Sequence, residues 1–141
     1  MAALVRGEAT TLSFAAFDGE EPIGHALFTL HPVGGEAEAG ALLGPLAVRP
    51  DRQGAGLGSA LVRNGMERLA ARGVGHVFVL GDPAYYGRFG FRAERDARPP
   101  HDLPPEWEEA WQSLALDGAE PLPPGPLDLP RPWMDPALWR P

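Results

Sequence analysis

Cysteine and lysine are both absent from these 141 residues, and only two tyrosines are present. Without cysteine there is no disulfide, no thiolate nucleophile and no Cys-type zinc site. Without lysine there is no Gly-Lys-Ser/Thr phosphate loop. All 12 basic residues are arginine, a bias that reflects a GC-rich genome rather than a function. No apolar run approaches the roughly 18 residues that a membrane span needs. The charged-then-apolar layout of a secretory leader is missing too, so a cytoplasmic location is expected. A net charge of −7 argues against a general binder of nucleic acid or of anionic membranes.

What the chain has in plenty is glycine, 18 residues, and proline, 17. They fall unevenly, since 12 of the prolines lie between Pro99 and Pro141. The length suits a single domain with its own core, divided into a core of residues 1–98 and a proline-rich wrap of residues 99–141 packed on it. Leu12–Phe17 and Ile23–Leu30 read as an antiparallel hairpin with a longer loop, Gly34–Gly40 as a polar loop, and Ala41–Val48 as a third strand. Leu57 to Arg72 carries Leu61, Val62, Gly65, Met66 and Leu69 on one face, the pattern of an amphipathic helix. His76–Leu80 is β-branched and apolar, so Val48 to Val77 forms a βαβ unit with parallel strands. Asp82 is placed to cap a short helix from Pro83 to about Phe89, and a further strand follows from Phe91. In the tail, proline argues against any central strand. Pro105–Leu116, with Trp107, Trp111 and Leu114, reads as an amphipathic helix, and the four tryptophans argue against disorder.

Gly44–Ser59 is the segment richest in chemistry. A short apolar strand ends at Pro50-Asp51, a glycine-rich turn follows, and a helix begins at once. Exposed amides of such a turn converge on one spot and favour an anion there. Gly54, Gly56 and Gly58 let backbone approach a bulky diphosphate without Cβ clashes. The Ser59 hydroxyl and amide can both donate from the first helical turn. Pro45 cannot donate a ladder bond, which points to a break or bulge at Gly44-Pro45. The turn is not a dinucleotide site, because the Gly-x-Gly-x-x-Gly spacing is absent.

Gln53-x-x-Gly56-x-Gly58, together with Tyr86-Gly-Arg-Phe-Gly-Phe91 downstream, resembles the GNAT superfamily of N-acetyltransferases. The run Gly81-Asp-Pro-Ala-Tyr-Tyr-Gly-Arg-Phe-Gly-Phe91 resembles one bacterial branch of it, and the resemblance covers about Leu12 to Glu94. It implies an α/β (α+β) fold with a mixed central sheet, a splayed strand and a βαβ unit that binds CoA. It implies acetyl-CoA as co-substrate, an amine as acceptor and no metal. Carried over residue by residue, Leu46, Ala47 and Val48 would line the pantetheine arm, with an amide near Leu46 polarising the thioester. Gln53, Gly54, Ala55, Gly56, Gly58 and Ser59 would hold the pyrophosphate. Tyr86 would donate a proton to the departing thiolate. Tyr85 falls about 100° round the helix and is either a pocket residue or a core aromatic. Arg88 either meets a phosphate or caps the helix end.

The pattern departs from the superfamily at the start. Only 11 residues precede Leu12, so the first strand and most of a helical region are expected to be missing, with Ala2–Glu8 as the last turns of a second helix. An open sheet edge needs cover, from the tail or from a second copy in a homodimer. No dedicated base stands out among Glu36, Glu38 and His25. The expectation is direct acetyl transfer from acetyl-CoA to an amine. A non-catalytic acyl-CoA-binding or sensing protein of the same fold is the alternative.

Overall fold

A computed structural model of the chain describes residues 10–140; the Ala2–Glu8 helix expectation lies outside them. Two long hairpin strands set the frame. β1 (Thr11–Asp18) pairs antiparallel with β2 (Glu21–Val33), and β2 pairs antiparallel with β3 (Glu36–Val48). Both connections are tighter than expected. Gly19-Glu20 suffices for the first, with Gly19 at φ 63°, and Gly34-Gly35, at φ 57° and 89°, for the second. Consecutive positive φ values match the right-handed twist of the flanking strands, so the polar residues from Glu36 onward pair instead of looping.

α1 (Leu57–Ala71) buries Leu61, Val62, Gly65 and Leu69. A Cβ at Gly65 would stand 2.2 Å from the Phe28 ring, so glycine lets the helix lie directly on β2. Gly73, at φ 93°, stops the helix. β4 (His76–Leu80) then enters parallel to β3, and α2 (Pro83–Tyr86) follows with the Asp82 carboxylate accepting from the Ala84 N–H at 2.9 Å. β5 (Arg92–Ala93) is only two residues long, and β6 (Ala97–Arg98) pairs outside the main sheet with β8 (Gly125–Pro126).

The tail corrects two expectations. Pro105–Ala110 is a 3-10 turn, and β7 (Trp111–Ala115) is a strand lying between β4 and β5 in the six-stranded sheet β1-β2-β3-β4-β7-β5. There is no Pro105–Leu116 helix, and the tail does supply an internal strand. The physical reason is that residues 106–120 hold no proline, so every amide needed by the ladder is available. Trp111 and Leu114 serve opposite faces, in a period of two rather than 3.6.

The sheet thus has two covered faces. On the helix face, Ala26, Phe28, Leu43, Val77 and Val79 pack with α1. On the tail face, Leu27, Leu42 and Phe78 pack with Trp111, Leu127, Leu129, Trp133 and Trp139. The fold is α+β, a mixed sheet with few helices. No helix among the described residues is long and apolar enough to cross a membrane.

Candidate functional site

β3 changes character along its length. From Gly40 to Leu43 it has β2 on one side and β4 on the other, but β4 pairs with nothing beyond Leu43. β2 keeps its side of the ladder to Val48. One residue of β2, Leu27, stands opposite two of β3, Gly44 and Pro45, so a bulge falls where proline was expected to force one. On the side away from β2, Gly44–Val48 therefore presents a backbone edge with no strand beside it among the described residues, the arrangement by which sheets take up extended ligands.

The turn after β3 is braced from within. Gln53 Nε2 donates to the Val48 carbonyl at 3.1 Å, and Arg49 bridges Glu21 at 2.9 Å and Asp51 at 2.7 Å. Arg52 pairs with Asp18. Gly54 and Gly56 take φ 85° and 83°, a region that favours glycine. Gly56 is the N-cap of α1 and offers no side chain to its first-turn N–H groups. Those amides are left for a ligand, with the positive end of the helix dipole behind them.

Edge and turn open into one groove of about 490 Å³. Of the residues expected at the site, Leu46, Val48, Gln53, Gly54, Gly56, Gly58 and Ser59 line it. Ala47 and Ala55 do not; both side chains are exposed, and Ala47 belongs to the opposite face of the strand. Arg52 and Leu57 also line the groove and carried no motif of their own. Tyr85 and Arg88 complete it. A Cβ at Gly58 would stand 2.6 Å from the Tyr85 hydroxyl, so glycine there makes room for that phenol. Arg88 lies 4.4 Å over the Tyr85 ring and donates to the Tyr85 carbonyl at 3.2 Å and to Ser59 Oγ at 3.3 Å. It caps the helix end and faces the groove together, and its one-turn spacing from Tyr85 was the available signal.

Tyr86 lies apart from the groove lining. Its ring meets Tyr85 edge-on at 5.0 Å and Phe91 at 5.7 Å, and a Cβ at Gly81 would stand 2.5 Å from its Cε2. Burial pushes the phenol up to about 12, with the neighbouring Tyr85 adding to the effect. A phenol so placed keeps its proton at neutral pH. Glu36 and Glu38 begin β3 at the end remote from the groove, and Glu38 pairs with Arg72 at 3.3 Å. His25 lies beside the groove strand, opposite Ala47. Among the described residues no cluster of three or more His, Asp or Glu side chains is arranged to hold a metal ion.

Comparison with known proteins agrees with this geometry. The model of the Acetyltransferase (GNAT) family matches residues 3–91. The uncharacterized N-acetyltransferase YjhQ of Escherichia coli is 37% identical over 113 residues, 77% of this chain and 61% of that protein. Among solved structures, the GNAT family N-acetyltransferase YhbS of Escherichia coli in complex with CoA shares 32% identity with a TM-score of 0.69. That match covers 84% of this chain and 66% of YhbS. A GNAT family acetyltransferase from Brucella melitensis in complex with acetyl-CoA shares 34% identity with a TM-score of 0.63, over 82% of this chain and 64% of that one. The chain spans about three fifths of the length of the curated relatives it matches, 61% in each of the first two. A strand that parts from its neighbour above a glycine-built helix start, matched across both motifs, makes the chain a member of the GNAT family of acetyltransferases.

Proposed function

We propose that the chain moves an acetyl group from acetyl-CoA to an amine by direct transfer. The single observation that carries the reading is the free backbone edge of Gly44–Val48 opening into the groove at the start of α1. The groove fits the donor in shape and in chemistry. Gly54, Gly56 and Gly58 leave no Cβ against a diphosphate, the α1 amides supply donors, and Arg88 supplies positive charge, Arg52 being shared with Asp18. Of the two solved relatives, YhbS was solved in complex with CoA and the Brucella melitensis protein in complex with acetyl-CoA.

In this reading the Leu46–Val48 backbone takes the pantetheine amides, and an amide near Leu46 donates to the thioester oxygen as negative charge gathers there. The amine attacks the carbonyl carbon and the C–S bond breaks. Tyr86, behind the groove lining with its ring edge-on to Tyr85 and its proton retained, is assigned the donation to the departing thiolate. There is no cysteine thiolate to carry an acyl intermediate, and in this reading the amine attacks the thioester directly.

Calorimetric titration with CoA and acetyl-CoA, followed by free-thiol release across a panel of amines, tests the reading. Saturable binding and amine-dependent thiol release are expected. Tyr86→Phe should lower turnover on the order of a hundredfold while keeping CoA affinity. Binding without thiol release in the wild type would instead identify a non-catalytic acyl-CoA-binding protein. Failure to bind CoA would overturn the proposal altogether.

A further inference from the structure

The acetyl-transfer reading leaves two things unassigned, the side from which the amine arrives and the group that takes its proton; the inference below rests on that reading. The groove belongs to the helix face. Leu46 packs with the core beneath α1, and Val48 Cγ2 and Leu61 Cδ1 both lie within 4 Å of a Cβ built on Gly24. Ala47, between them, points to the tail face. Its partner across the ladder is His25, and the partner of His25 in β1 is Ala15. Cross-strand partners share a face at about 5 Å, so Ala15, His25 and Ala47 form one row.

The tail does not reach that row. Its cover of β3 runs up to Trp133, whose ring would stand 3.3 Å from a Cβ at Gly44 and whose N–H donates to Thr29 Oγ1 at 3.2 Å. Beyond it Ala15 and Ala47 are exposed and His25 is half-buried between them. Two exposed alanines flanking one half-buried histidine make a low, open shelf beside β3. His25 Nε2 and Ser13 Oγ are 2.7 Å apart, while Nδ1 has no partner among the described residues. At this end of the sheet Arg49 is matched with Glu21 and Asp51, and Arg52 with Asp18.

We infer that this shelf is the acceptor side and that His25 is the catalytic residue that takes the amine's proton. With the CoA arm held from the helix face, the thioester carbon is open to attack from the tail face. The amine nitrogen forms the C–N bond, the C–S bond breaks, and the proton released by the nitrogen passes to His25 Nδ1. The Tyr86 proton goes to the thiolate. Nε2 is engaged by Ser13 Oγ, so Nδ1 is the ring nitrogen that takes the proton, in the tautomer that carries its hydrogen on Nε2.

The test compares wild type with His25→Gln, which retains a donor for Ser13, and with His25→Ala, which opens a space for added imidazole. Expected is a loss of turnover of about a hundredfold or more in both, acetyl-CoA affinity unchanged by calorimetry, and partial recovery of His25→Ala, but not of wild type, in imidazole. Ser13→Ala should lose less. Full turnover in His25→Gln, or no recovery with imidazole, overturns the assignment while acetyl transfer stands. Loss of acetyl-CoA affinity in both variants also overturns it, because His25 is then a brace between β1 and β2. A wild type that binds CoA but releases no thiol with any amine overturns both this inference and the reading beneath it.

Discussion

The two faces of the sheet are covered by opposite means. On one, α1 satisfies its own backbone by internal hydrogen bonds and needs only an apolar stripe and close approach, which Gly65 over Phe28 provides. On the other, the tail has little regular structure and spends side-chain hydrogen bonds to hold its course. Trp111 donates to the Ala97 carbonyl at 2.8 Å, Trp139 to the Trp133 carbonyl at 2.8 Å, and Trp133 to Thr29. Glu94 accepts from the Asp96 and Ala97 amides at 2.9 and 2.8 Å and from Ser113 Oγ at 2.6 Å. Proline removes the amides a helix would use, and indole N–H groups take over the work of orienting the chain. Loss of an indole therefore removes both packing and address, whereas a change on the helix face is felt as packing alone.

The largest effect should come from deleting residues 99–141. This removes β7 from between β4 and β5 and strips the tail face of its cover, so no cooperative urea transition should remain; a normal transition would mean that the tail is dispensable. Next comes Trp111→Ala, which should cost about 3–5 kcal/mol by urea unfolding, since Trp111 is fully buried, stacks on Phe78 at 5.6 Å and holds Ala97. Gly65→Ala on the helix face should cost less, about 1–3 kcal/mol through overpacking against Phe28. Equal losses from these two would erase the contrast between the faces.

The smallest effect is a pH dependence that belongs to the tail face. The His31 and His76 rings lie tilted beside Phe78, at 5.5 and 6.4 Å, and burial lowers the pKa of each from 6.5. His31 Nδ1 bonds the Pro32 carbonyl and Nε2 is buried without a partner among the described residues, so a second ring proton finds no acceptor there. Because the folded state holds these protons less tightly than the unfolded chain, the stability they support is present above about pH 6.5 and falls as pH drops below it. Urea midpoints at pH 7 and pH 5 should show the fall. His31→Gln, which keeps a donor for Pro32, should reduce it.

The same contrast explains what could be read in advance. Leu57–Ala71 and His76–Leu80 were legible because their signals are local, a 3.6-residue stripe closed by Gly73 and a short β-branched run. The glycine turn was legible because spacing alone tells where backbone can approach a ligand. β7 was not. Its partners in β4 lie more than thirty residues upstream, Trp107, Trp111 and Leu114 imitate a helical stripe, and the proline count of the whole tail hides a proline-free window. The first hairpin was legible as a pair but not in length, and the second was read as a strand, a loop and a strand, because Gly19-Glu20 and Gly34-Gly35 turn the chain in less space than their polar neighbours suggest. In the groove, Arg52 and Leu57 escaped selection, and Tyr85 and Arg88 were left between two roles, because the four meet only across the turn, the first turn of α1 and the end of α2.

The bulge at Gly44-Pro45 has a metric consequence. It marks where β3 stops being shared, and the unshared stretch, Gly44 to Val48, is about 16 Å long at some 3.3 Å per residue. A strand edge of fixed length is a ruler. It offers donors and acceptors at set intervals, so a thioester on a long amide-bearing arm can satisfy several of them at once. A short thioester reaches few. Substrate choice on the donor side would then be decided by how far along the edge a molecule extends.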